Sequence, residues 1–181
     1  MLSIRLNILD TLEDTANNTN ISFLHSSSIT EVLMEICDEL QRYSEQIAFS
    51  ITGFEKDWSL LDIETDLCML MEDLPDLVNF INNSDIEEYQ FGFPEQHLQR
   101  ILTIKRFDGS FKIVCSDWLA KSSEQSVEII PEQDLRQLLH KLVYDVSIVI
   151  KKICPSAFSN SFFQDWLIKV KIDYLELTCL C

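Results

Sequence analysis

Residues 97–118 read HLQRILTIKRFDGSFKIVCSDW. Two runs of alternating apolar residues flank Asp108-Gly109. That dipeptide is the strongest short-range hairpin signal, because both residues of a tight two-residue turn must take positive φ. Such a turn sets the register. Ile104 falls opposite Ile113 and Leu102 opposite Cys115 on one face, with Lys105 opposite Lys112 on the other. Upstream, EEYQFGF (87–93) adds a short strand. An antiparallel three-stranded meander over about residues 87–118 is therefore expected, with one face on the core.

Towards the N-terminus, SIRLNIL (3–9) and QIAFSITGF (46–54) read as strands, the second ended by Gly53. Between them, after a polar loop at 13–20, SITEVLMEICDELQRY (28–43) reads as a helix, with Ile29, Val32, Leu33, Ile36 and Leu40 at helical spacing. Ser28 and Glu31 form a capping box, in which each side chain satisfies a free N–H at the helix start. After a polar loop at 120–128, Pro131 opens a long helix carrying Leu135, Leu138, Leu142, Val146 and Val149. It ends in Lys151 and Lys152, where cations suit the helix dipole, and Pro155 stops it. NSFFQDWLIKVKIDYLEL (160–177) is compatible with a helix followed by a strand, but its apolar pattern does not decide. The 181 residues are 46% hydrophobic, with three Gly and four Pro, which supports one α+β domain over residues 1–181 and no flexible linker. The meander is expected to pack against several helices.

The segment DWSLLDIETDLCMLMEDLPDLVNF (57–80) carries the other strong pattern. Leu60, Ile63, Leu67, Leu70, Leu74, Leu77 and Ile81 share one helical face, and Asp62, Asp66, Asp73 and Asp76 fall on a stripe opposite it. Pro75 lacks an N–H and predicts a break into two helices, with Asp73 capping the second. The formal net charge is −16, and residues 1–88 carry all of it: three bases against nineteen acids. Residues 89–181 hold eleven of each and balance. Nucleic-acid backbones and anionic membrane surfaces are poor partners for such a chain. Three accounts of the excess compete. Arg100, Lys105, Arg106 and Lys112 of the hairpin neutralise the acids internally, or the acids serve solubility, or they form a docking surface for a basic partner.

Catalytic signatures are weak. The only histidines are His25, His97 and His140. Glu95 with His97, His25 with the serines up to Ser28, and Cys115 with Asp117 and Trp118 are the best pairings. Glu95 and His97, two apart on an extended strand, would share a face as a metal or acid–base pair does, but an isolated pair is weak evidence, and no glycine-rich elbow accompanies His25 and Ser28. Asp62, Glu64 and Asp66 alternate like a calcium loop but lack the glycine that its sharp turn needs. No enzyme, cofactor or metal is expected. The six cysteines (37, 68, 115, 154, 179 and 181) include no CxxC. With no secretory signal pattern and no run long enough to span a membrane, reduced thiols and a cytoplasmic location are expected.

Tyr89, Phe91, Phe93 and Trp118 gather around the meander, and Trp58 stands at the start of the acidic stretch. The segment YQFGFPEQHLQRILTIKRFDGSFKIVCSDW (89–118) resembles the strand meanders of immunity proteins from bacterial polymorphic toxin and contact-dependent inhibition systems. The acidic, cysteine-reduced α+β character resembles that class too. The resemblance implies a cytosolic binding protein that neutralises one cognate toxin domain by blocking its active site or substrate groove. A nuclease partner would present a basic site, which an acidic surface plugs. The partner-binding residues are then Asp57, Asp62, Asp66, Asp73 and Asp76, with Trp58 as an anchor. Alternatives are an acidic secretion chaperone for an effector, or a nucleic-acid mimic that inhibits a DNA- or RNA-binding enzyme.

Overall fold

Asp108 and Gly109 take φ values of +44° and +70°, and the strands leave the turn in the expected register, Ile104 opposite Ile113 and Leu102 opposite Cys115. The computed structural model of the chain describes residues 2–9, 23, 26–56, 58–59, 61–93, 99–117 and 125–170. Expectations for Asp57, Leu60, Trp118, Cys179, Cys181, His25, Glu95, His97 and the strand after residue 170 lie outside the described residues.

The architecture is α+β, in the order β1 (Ser3–Ile8), α1 (Ile29–Gln41), β2 (Ile47–Thr52), α2 (Cys68–Asn82), β3 (Glu88–Phe93), β4 (Arg100–Phe107), β5 (Ser110–Asp117), β6 (Ser126–Pro131), α3 (Glu132–Ile153) and α4 (Ser161–Lys169). A single π-helical turn, Ile63–Leu67, leads into α2, and a 3₁₀ turn, Pro155–Ser159, links α3 to α4. β1 and β2 form an antiparallel pair, with Ile4, Leu6, Phe49 and Ile51 buried on its inner side. β3 to β6 form an antiparallel meander in sequence order. Its inner face buries Phe91, Phe93, Leu102, Ile104, Phe111, Ile113 and Cys115. α3 packs against β1 and also reaches β5 and β6. Residues from both halves of the chain share one core.

The expected three strands are four, because Ser126–Pro131 extends the sheet. Its alternation is inverted: Val127 and Ile129 are 47% and 56% exposed, while Glu128 turns inward. Glu128 receives hydrogen bonds from the backbone N–H groups of Leu2 and Phe54, and so ties the two sheets together. A strand with a carboxylate on its inner face lacks the apolar period that marks strands in sequence.

The start of α1 matches its expected cap. Ser28 Oγ accepts from the Glu31 N–H at 3.2 Å, and Glu31 reaches back to Ser27.

Pro75 does not split α2, and this corrects the two-helix expectation. The helix runs unbroken from Cys68 to Asn82. A proline removes the bond to the carbonyl four residues earlier, here Met71. Trp166 on α4 replaces that donor: its Nε1–H donates to the Met71 carbonyl at 2.8 Å. Asp73 therefore caps nothing, and Asp62 caps the π-helical turn instead.

Candidate functional site

The acidic stripe is redistributed by this helix start. Asp62 Oδ1 accepts from the Thr65 N–H at 2.6 Å and from the Thr65 hydroxyl at 2.7 Å. Asp66, 1% exposed, accepts the Asp62 N–H through Oδ2 at 3.0 Å. The pair is a reciprocal cap. The returning carboxylate stands four residues on rather than three, because the π turn inserts an extra residue, seen in the Leu67 N–H bond to the Asp62 carbonyl. Asp66 thus lies inside the protein and not on an outer stripe. Trp58 is also a core residue, 5% exposed, in contact with Phe54 and Phe93 and donating Nε1–H to the Gly53 carbonyl. Burial rules it out as an exposed anchor.

Asp73 is half-buried and accepts the Tyr89 hydroxyl at 3.1 Å. Burial raises its carboxyl above the ordinary value of 3.8; the Tyr89 bond opposes this, and the charges of Asp76 and Glu72 add to it. Asp76 and Glu72 themselves are exposed. Among the described residues neither forms an ion pair. Glu72 was missed in the sequence. The signal was present, since acids four apart on a helix repel.

Arg106, Arg136, Arg100 and Lys105 of the second half are engaged elsewhere. Arg106 donates to the carbonyls of Phe80 (2.6 Å), Ile81 (3.2 Å), Asn83 (2.9 Å) and Ile86 (3.2 Å), and its guanidinium lies 5.2 Å from the ring centres of both Phe80 and Phe111. Arg136 on α3 donates to the Ile81 carbonyl at 2.8 Å and to Asn82 Oδ1 at 2.7 Å. The last carbonyls of any helix lack intrahelical partners and carry its negative dipole end. Two arginines from the balanced half therefore cap the acidic helix, whose own last turn has no base. Arg100 lies 4.5 Å over the Trp58 ring and 3.6 Å from Asp117, which also meets Lys56 at 3.5 Å. Lys105 pairs with Glu88 at 2.6 Å. That exposed pair is worth at most about 1 kcal/mol. Among the described residues, ion pairs within the acidic half thus reach Glu39, through Arg42, and Glu88, through Lys105, but not the Glu72–Asp76 face.

The face borders a groove of about 250 Å³ between α1, α2 and α4. Ile29, Leu33, Pro75, Phe162 and Trp166 supply its apolar walls, and Glu72, Asp76, Asp165 and Lys169 its charged ones. A second, largely apolar cleft of about 150 Å³ includes His140 and Arg136, with no thiol or carboxylate lining it. Cys115 is buried, and its thiol is pushed up to about 11, chiefly by burial. Burial likewise lifts Cys154 to about 12. Thiols so protonated at neutral pH are poor nucleophiles. Among the described residues no cluster of three His, Cys, Asp or Glu side chains can hold a metal ion, and no helix is long and apolar enough to cross a membrane. Comparison with protein-family models, curated proteins and solved structures yields no match.

Proposed function

We propose that this chain is a non-catalytic cytoplasmic binding protein that docks a basic protein partner on the outer face of α2, in the manner of an immunity protein neutralising a cognate toxin domain. One observation carries the reading. Glu72 and Asp76 stand exposed without an ion pair among the described residues, although Arg106 and Arg136 lie at the end of the same helix and are engaged by its carbonyls. Uncompensated carboxylates in one patch make the local potential more negative, which speeds association with a basic surface and makes it salt-sensitive. The internally hydrogen-bonded Asp62, Asp66 and Asp73 contribute field to that patch more than contact.

The test has two stages. A partner captured by affinity purification is first co-expressed with the chain; an immunity role requires that its toxicity be suppressed. Association rates are then measured across a salt series. Glu72→Lys and Asp76→Lys together should slow association by about tenfold or more at low salt and flatten the salt dependence. On-rates indifferent to both salt and charge reversal overturn the reading.

A further inference from the structure

We propose that the groove between α1, α2 and α4 is the seat of a basic amphipathic segment of the partner, receiving one arginine or lysine at its acidic rim and an apolar neighbour on its floor. This rests on the docking role assigned to α2 above and gives that role a site. The occupant follows from two features found together. Glu72, Asp76 and Asp165 converge on the groove against a single Lys169, and among the described residues no ion pair joins that lysine to any of the three. The apolar walls are equally definite, and Phe162 remains 36% exposed at the edge. On α1, Met34 is 53% exposed one turn beyond Thr30, itself a lining residue. Charge alone would suit any cation. Charge over an apolar floor selects a long basic side chain, whose methylene stem packs while its head stays at the rim, carried on a segment with an apolar face.

The groove is built by the device that rescues the proline. The Trp166 bond to Met71 holds α4 against α2 at this point, and both Pro75 and Trp166 line the groove. The volume of about 250 Å³ suits one long side chain and its neighbour, not a folded domain.

A fluorescently labelled synthetic helix with leucines on one face and arginines on the other is the probe, titrated by anisotropy against an oligo-arginine of equal charge. The intact chain should bind the amphipathic probe about tenfold more tightly than oligo-arginine. Glu72→Lys, Asp165→Lys and Phe162→Ala should each weaken the probe by about tenfold, while Glu45→Lys, at an exposed site away from the groove, should not. Circular dichroism shows whether each variant folds, and Asp165→Lys alone suffices if Phe162→Ala does not. Equal binding of oligo-arginine, with no effect of Phe162→Ala, sinks the groove but leaves the acidic docking face standing. Failure of the probe to bind at low salt also sinks the groove. The docking face falls separately, through the partner's on-rates.

Discussion

The Trp166 indole donates to the Met71 carbonyl, the acceptor that Pro75 leaves without its helical partner four residues on. The two residues lie 95 positions apart. A buried carbonyl without a donor costs roughly 1–3 kcal/mol, so a single side chain decides whether the proline is tolerated inside the helix.

A double-mutant cycle tests this pairing. Trp166→Phe should destabilise the protein, through packing and through the orphaned carbonyl. In a Pro75→Ala background the restored N–H of residue 75 supplies Met71, so the same change should be milder by about 1 kcal/mol. The packing loss is common to both backgrounds and cancels. Denaturant unfolding of the four proteins gives the coupling, and a value near zero would refute the account.

Arg106 should resist its conservative replacement. Lysine keeps the charge but loses the planar fork that serves several carbonyls and lies close to Phe80 and Phe111. Arg106→Lys is expected to lower stability by about 2 kcal/mol. Hydrogen exchange should quicken at the Asn83 amide, which donates to Asn79 in the final turn of α2.

Asp73 should give stability a definite pH slope. Its folded pKa is raised above 3.8, mainly by burial, so folding takes up a proton between those two values. The stabilising contribution is complete below 3.8 and is lost as pH rises through the folded value. Asp73→Asn still offers Tyr89 an acceptor and carries no charge. The variant should melt higher than wild type near neutral pH, with the gap closing as pH falls towards 3.8. A gap that widens on acidification would reverse the sign.

Glu128 should behave as a clasp. Its carboxylate takes the N–H groups of Leu2 and Phe54 on separate oxygens, beside Phe54 and Glu55 at φ values of +59° and +52°. Glutamine has only one acceptor oxygen, so Glu128→Gln should cost roughly 1–2 kcal/mol. Gly53→Ala should cost more. Gly53 sits at φ +134°, and a Cβ there would meet Glu128 Oε1 at 2.9 Å and the Leu2 Cα at 3.0 Å. Equal melting temperatures for the two variants and wild type would remove the clasp.

Much of the framework was legible from local chemistry. The Asp108-Gly109 turn and its register follow from backbone sterics and the two-residue period of strands. The Ser28 cap, the Pro131 entry to α3 and the apolar face of α2 follow from termini and helical spacing. The candidate site was less legible. Composition showed how much acid the first half holds, but the inward placement of Asp62 and Asp66 depended on a π turn that no periodicity announces. That turn drew Asp62 and Asp66 into a cap, and left Glu72 and Asp76 outside.

By itself, then, the sequence determined the hairpin and the starts of α1 and α3, each of which depends on residues a few positions apart, and the charge division between the halves, which is composition alone. Only tertiary structure decided that β6 joins the sheet, that α2 survives Pro75, and that Arg106 and Arg136 meet carbonyls rather than the acids of α2. Those outcomes turn on buried polar groups finding donors, and the donors arrive from distant segments: Arg106 and Arg136 at the end of α2, and Trp166 beneath its proline.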